Sequence, residues 1–257
     1  WAKAGTSNGN HLWMQISHAG RQSPRYVTNQ PVGPSAVQLE LLGNYAPPRA
    51  LREDEILDLI QRFARVARIA KEAGFTGVQV HGAHGYLLSS FLSPVTNQRT
   101  DQWGGSLENR ARLLLEVTDA AISVWGAGRV GVHLAPRADA HDMGDANRAE
   151  TFGYVARELG KRGIAFICAR EKEDDDSLTP QLKQAFGGVF IANERFTKDQ
   201  ANAWLADGKA DAVAFGVPFI ANPDLPARLE QDAALNEPHP DTFYGSGPVG
   251  YIDYPRL

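Results

Sequence analysis

Short apolar runs alternate with longer amphipathic segments between residues 10 and 232. This alternation is typical of βα units repeated around a parallel sheet. The apolar runs predict six strands, at His11–Ile16, Gly77–His81, Val130–Ala135, Ile164–Cys168, Gly188–Ala192 and Ala212–Gly216. The amphipathic segments predict five helices, at Asp54–Ala73, Ser106–Trp125, Arg148–Lys161, Thr179–Phe186 and Thr197–Ala206.

The element order predicts an α/β fold of the (β/α)8 TIM-barrel class, as one domain over residues 1–257. Six of the eight βα units are recognisable, and no helix is predicted before the first strand, so the N-terminal quarter of the barrel is expected to be missing. Residues Ser23–Leu51 have no clear periodicity and are expected to form a long loop over one mouth. A doubly wound open sheet is the competing fold, but no G-x-G-x-x-G opens a helix after the first strand.

The composition argues against several classes of binding partner. The chain has a net charge of -4 and a pI near 6.0 without a basic, aromatic-rich block, which argues against nucleic acid and anionic membranes. No apolar run approaches the ~20 residues of a membrane span. A single cysteine, Cys168, cannot form an internal disulfide, which fits a reducing, cytoplasmic setting. We therefore expect small-molecule ligands, or further copies of the chain in a homo-oligomer, as partners.

Candidate chemistry is concentrated where the second predicted strand ends. His81, His84 and Tyr86 lie there, and barrel enzymes keep their catalytic groups at the C-terminal ends of strands. Imidazole N–H groups can polarise a carbonyl that is conjugated to a C=C bond, and a phenol can deliver a proton to carbon. Two histidines can equally form a structural or metal-binding pair, and a tyrosine can be a packed core residue. No metal is expected, because no carboxylate or third histidine is close in sequence.

Four segments resemble the old yellow enzyme family, in that family's order and across essentially the entire chain. They read HGAHGYLLSSFLSP, SPVTNQRTDQWGGSLENRARLLLEV, DAVAFGVPFIANPDL and FYGSGPVGYIDYP. The resemblance implies non-covalent FMN, reduced by NAD(P)H. It also implies that His81 and His84 bind the activating carbonyl or nitro group of the substrate and that Tyr86 donates the proton.

The resemblance also assigns flavin contacts. Gln15 matches a glutamine at the pyrimidine edge of the flavin, and His133 stands where relatives commonly have an arginine near flavin N1 and the C2 oxygen. The phosphate is expected beside the last two strands, at Asn193, Glu194, Arg195, Gly216 and Val217. Many relatives have small residues at 194 and 195 and an arginine at 217, so we expect Arg195 to supply the charge that Val217 lacks. Arg195 facing solvent, with the phosphate held by backbone alone, is the alternative.

Two further positions concern the substrate. Ser17 replaces a tryptophan common in relatives and is expected to widen the pocket, and Tyr251 matches an aromatic over the substrate side of the flavin. Residues 1 to about 117 read like one branch of the family and the remainder like the xenobiotic and nitroester reductases, which suggests a chimeric chain.

The resemblance implies an FMN-dependent reductase of activated C=C bonds in enones, maleimides or nitro compounds. The alternative from a different class is a catalytically inactive barrel fragment, stable only when it pairs with a second copy or a complementary piece. A flavin-free, phosphate-binding aldolase is a third, disfavoured because no lysine lies at a strand end.

Overall fold

A computed structural model of the chain describes residues 1–41, 43–137 and 141–257. In this part the strands are β1 (Trp13–Ile16), β2 (Val32–Gly33), β3 (Arg49–Ala50), β4 (Gly77–Gly82), β5 (Val130–Leu134), β6 (Phe166–Arg170), β7 (Val189–Asn193) and β8 (Ala212–Ala214). The helices are α1 (Ala2–Gly5), α2 (Glu53–Glu72), α3 (Leu87–Leu92), α4 (Leu107–Trp125), α5 (Arg148–Lys161), α6 (Thr179–Phe186), α7 (Lys198–Ala206), α8 (Val217–Ala221) and α9 (Leu225–Glu230).

The main sheet has six parallel strands in the order β1-β4-β5-β6-β7-β8. Strands that are successive in the sheet follow the chain in one direction, without the reversal of order that defines a doubly wound sheet. The α/β fold is consistent with a TIM barrel, and the doubly wound alternative is wrong. The number of barrel units stays a prediction.

The six predicted strands and five predicted helices are all present, with ends displaced by at most two residues. Two expectations were wrong. The short helix α1 precedes the first strand, and the presumed loop Ser23–Leu51 contains the parallel pair β2 and β3. A single helical turn and strands of two residues are too short to show a hydrophobic period, so the sequence pattern does not reveal them.

Helix α2 shows how the outer layer attaches to the sheet. Its buried residues include Ile56, Phe63 and Ala67, which recur at the spacing of one helical face, and they join the same hydrophobic core as Val78 and Val80 of β4. Most exposed residues of the helix are polar, with Leu57, Val66 and Ile69 as exposed apolar exceptions. Within the described residues, no helix is long and apolar enough to cross a membrane.

Two aromatic rings fill the inner side of the sheet below the polar residues described next. The rings of Trp13 and Phe166 have centroids 5.0 Å apart. Each ring lies over a glycine of the neighbouring strand: a Cβ on Gly77 would be 2.6 Å from the Trp13 ring, and one on Gly131 would be 2.4 Å from Phe166. The absence of side chains at Gly77 and Gly131 therefore makes room for the rings of Trp13 and Phe166.

We predict that Gly131→Ala destabilises the fold by about 1–3 kcal/mol, because its Cβ would lie 2.4 Å from the half-buried Phe166 ring, which would have to shift. Gly128→Ala is the matched control, since a Cβ there meets nothing within 4 Å. Urea unfolding of both variants measures the effect. Equal stabilities of the two variants would contradict the packing described.

Candidate active site

Strand register gathers a row of polar side chains on one face of the sheet. Gln15 of β1 pairs with Gln79 of β4, and His81 of β4 pairs with His133 of β5. Paired residues on parallel strands point to the same side, and so do residues two apart along a strand. The row continues across the sheet through Arg170 of β6, which is two residues beyond the partner of His133.

A strained turn presents the other two predicted residues. His84 has φ 59°, Gly85 has φ 75°, and Tyr86 is the N-cap of α3. The turn is fixed from behind by the segment Ala19–Gln22, where the Gln22 amide donates to the His84 carbonyl at 2.6 Å. A non-glycine residue in the left-handed region costs free energy, and this surrounding contact maintains it.

The two predicted histidines are joined by a hydrogen-bond chain that begins at Ser17. Ser17 Oγ lies 3.0 Å from His81 Nδ1, and His81 Nε2 lies 3.0 Å from His84 Nδ1. If the serine hydroxyl donates, His81 carries its proton on Nε2, and His84 must then carry its own on Nε2. Tyr86 stands against this pair, with its ring centroid 5.1 Å from that of His81.

A second set of contacts involves the glutamine assigned to the flavin edge. Gln15 Nε2 donates to Gln79 Oε1 at 2.7 Å and lies 3.2 Å from His133 Nδ1. The His133 ring centroid is 5.0 Å from that of His84 and 5.5 Å from that of His81. A third histidine therefore adjoins the pair in space, from the neighbouring strand. His133 is distant from His81 and His84 in the chain, so the sequence did not indicate that it lies beside them.

Burial makes these imidazoles neutral at neutral pH. Desolvation, reinforced by His84, lowers the pKa of His81 to about 4, and desolvation, reinforced by Arg170, lowers the pKa of His84 to about 4. The pKa of His133 falls to about 3, chiefly through burial. His133 is therefore not the cation that an arginine would be. The buried Nε2 atoms of His84 and His133 have no hydrogen-bond partner among the described residues.

A cavity of about 560 Å³ opens at the ends of β6, β7 and β8. It is lined by all five residues expected near the phosphate, Asn193, Glu194, Arg195, Gly216 and Val217, together with Arg170 and Phe196. Its size is within the range of small-molecule sites, roughly 300–1,000 Å³. A Cβ on Gly216 would meet nothing within 4 Å, so open space adjoins the backbone there.

Two arginines and one carboxylate determine the charge of this cavity. Arg170 pairs with Glu194, with Nη2 3.4 Å from Oε1, and its side chain is 41% exposed. Arg195 also contacts Glu194 at 3.3 Å, but its side chain is 87% exposed. Arg170 was missed by the sequence analysis, although its position at the end of a strand was an available signal.

The remaining predicted residue, Tyr251, is in the C-terminal segment, where its hydroxyl donates to the Phe243 carbonyl. Its side chain is largely exposed, and its contact with substrate stays a prediction. The expected widening of the pocket at Ser17 also stays a prediction, whereas its hydrogen bond to His81 is a feature that the sequence did not indicate.

The fold and the polar row together define a parallel α/β enzyme with a strand-end ligand site. The NADH:flavin oxidoreductase / NADH oxidase family matches residues 2–236. 12-Oxophytodienoate reductase 1 of Oryza sativa subsp. japonica is 42% identical over 96% of this chain and 69% of its own length. 12-Oxophytodienoate reductase 2 of Arabidopsis thaliana is 40% identical over 98% of this chain and 72% of its own.

Solved structures agree with this match. Morphinone reductase in complex with tetrahydroNAD superposes with a TM-score of 0.95 and 42% identity, covering 100% of this chain and 75% of that one. The old yellow enzyme homologue from Zymomonas mobilis gives 0.96 and 39%, covering 100% and 77%. The chain belongs to the NADH:flavin oxidoreductase family and, within it, to the old yellow enzymes, whose cofactor is FMN. It is an FMN-dependent reductase by family.

The residues present fit a flavin. A bound ring would give a hydrogen-bond partner to the orphaned Nε2 atom of His133, and the Gln15 amide offers both a donor and an acceptor to its pyrimidine edge. The cavity beside Arg170 and Arg195 provides space and positive charge for a phosphate.

The lowered pKa values predict acid sensitivity of the fold. His133 titrates near 3 when folded and near 6.5 when unfolded, so the unfolded state binds more protons between these values. Stability is therefore complete above about pH 6.5 and declines as the pH falls towards 3.

We predict that His133→Gln flattens this decline by at most about 1.4 kcal/mol per pH unit. Urea unfolding of the wild-type chain and the variant at pH 5, 6 and 7.5 measures both slopes. Identical slopes would show that His133 titrates alike in the folded and unfolded states.

Proposed function

We propose that this chain reduces an activated C=C bond, as found in enones, maleimides or nitroalkenes, with NAD(P)H as the electron source. The observation that carries the proposal is the convergence of His81, His84 and Tyr86 on one side of the strand ends, beside Gln15 and His133. Morphinone reductase, a relative with 42% identity, binds tetrahydroNAD, which supports a nicotinamide reductant.

When bound, FMN would supply the hydride chemistry between the nicotinamide and the β-carbon of the substrate. Gln15 and His133 would hold the pyrimidine edge. Asn193, Gly216 and Val217 would surround the phosphate with backbone and amide groups, while Arg195 contributes charge and Glu194 positions the arginines. The reaction then depends on how the histidines bind the substrate and how Tyr86 supplies a proton to it.

The neutral histidines suit substrate binding better than charged ones would. His84 donates to the substrate oxygen through Nε2–H, the tautomer that follows when Ser17 donates to His81. A hydrogen bond to that oxygen withdraws electrons from the conjugated double bond and stabilises the negative charge that develops there. Tyr86, half-buried at the N-terminus of α3, transfers its hydroxyl proton to the α-carbon. Ser17 and Tyr251 are proposed to border the substrate.

A barrel fragment without activity, stable only with a second copy or a complementary piece, is the alternative. The complete polar row and the cavity lined by all the expected phosphate residues favour the reductase. Purification of the chain distinguishes the two, because a reductase is yellow and bleaches when NADPH is added without oxygen.

We expect Tyr86→Phe to leave flavin reduction by NADPH unchanged and to slow reoxidation by 2-cyclohexenone by about 10²- to 10⁴-fold, the usual range for loss of a general acid. Anaerobic stopped-flow absorbance follows each half-reaction separately. Equal slowing of both half-reactions would argue against a proton-donor role and favour a structural role for the phenol.

For the phosphate, we expect Arg195→Ala to raise the Kd of FMN about threefold to tenfold, a modest effect because the arginine is exposed. Riboflavin, which lacks the phosphate, is the matched ligand and should bind both proteins equally. Fluorescence titration at low salt gives the four constants. An unchanged FMN constant would remove Arg195 from the phosphate site.

A further inference from the structure

The three histidines of the polar row have the geometry of a ligand set. His81, His84 and His133 each offer a ring nitrogen, and the three nitrogens all lie within 4.8 Å of one another. Two come from paired positions on β4 and β5, and the third comes from the turn after β4. The positions of the three rings are therefore set by the sheet and by one fixed turn.

Hydrogen bonds occupy the Nδ1 atoms of His81 and His133, while His81 Nε2 and His84 Nδ1 share one hydrogen bond that a bound ion would replace. Ser17 Oγ contacts His81 Nδ1 at 3.0 Å, and the Gln15 amide contacts His133 Nδ1 at 3.2 Å. Metal-bound histidines usually have such a partner on the nitrogen that does not face the metal. Rotation of the Gln15 amide, together with that of Gln79 to which it is hydrogen-bonded, would let the Gln15 oxygen accept from His133 Nδ1–H, because amide orientation is set by the network.

Distances and protonation also suit a metal ion. His81 Nε2 and His84 Nδ1 are 3.0 Å apart. Two nitrogens bound tetrahedrally to zinc at 2.0–2.1 Å would be about 3.3 Å apart. His133 Nε2 is buried, without a partner among the described residues, in a side chain that is 9% exposed. All three rings are neutral at pH 7, the form that binds metals.

We propose that His81, His84 and His133 form a site for one divalent transition-metal ion such as Zn²⁺ in the flavin-free chain. His81 and His133 bind through Nε2 and His84 through Nδ1, which leaves the fourth position without a protein ligand. Three protein ligands with one open position are the arrangement of reactive rather than structural zinc sites. Imidazole ligands also suit copper and nickel, so the site selects this class over Ca²⁺ or Mg²⁺.

A nearby positive charge limits the affinity of the three histidines for a divalent cation. Arg170 is close enough to contribute to the lowered pKa of both His84 and His133, and its positive charge opposes a cation. Glu194 pairs with Arg170 and offsets part of that repulsion. Micromolar rather than nanomolar binding of Zn²⁺ is therefore expected, on the order of -8 kcal/mol.

Isothermal titration of the untagged, flavin-free full chain with ZnCl₂ at pH 7.5 tests the site. We expect one ion per chain, and at least tenfold weaker binding in His133→Gln and in His84→Gln. His11→Gln, an exposed histidine before β1, is the matched control and should bind as wild type. Circular dichroism of each variant checks folding, and the two cluster variants test the same point independently.

Co²⁺ provides a second readout, because four-coordinate Co²⁺ has a strong visible band that the octahedral aquo ion lacks. We expect this band in the wild-type chain and in His11→Gln, and its loss in His133→Gln. Absence of binding up to millimolar Zn²⁺, or binding that both cluster variants leave unchanged, would overturn the proposal and assign any bound ion to the surface.

Discussion

Side chains in register on neighbouring parallel strands point to the same side of a sheet, and the candidate site depends on this constraint. Gln15 is paired with Gln79 and His81 with His133, so residues far apart in the chain meet without any loop rearrangement. A shift of one residue between β4 and β5 would turn one histidine into the helical layer. Gly77 and Gly131, in the same sheet, leave room for the rings of Trp13 and Phe166.

Burial then determines the chemistry of these groups. Removal of water lowers the pKa of all three histidines, so the site contains neutral donors instead of imidazolium ions. Neutral imidazoles polarise a carbonyl without protonating it, and they are also good metal ligands. The permanent positive charge is farther out, on Arg170 and Arg195, beside the cavity expected to hold the phosphate. The site thus separates a neutral reacting region from a cationic anchoring region.

The sequence was sufficient to predict the elements whose hydrophobic pattern is visible, and to identify the family. The strand ending at His81 and the motif that follows it are enough to single out the two histidines and Tyr86 as candidate site residues. The short elements α1, β2 and β3 left no periodic pattern.

The contacts between side chains on different strands could not be predicted from the sequence either. Ser17 bonding to His81, and Gln79 bonding to Gln15, depend on a register that no single strand contains. The proximity of His133 to the other two histidines has the same origin, which is why the sequence argued against a metal-ligand set. Glu194 pairing with Arg170 depends on how two strand ends approach each other.

The most direct test of the polar row as a flavin site is a crystal structure of the chain grown with FMN. The account predicts the pyrimidine edge of the ring within hydrogen-bond distance of the Gln15 amide, with His81, His84 and Tyr86 on one side of the ring. A flavin bound elsewhere, or a ring separated from Gln15 with the histidines turned away from it, would contradict the account.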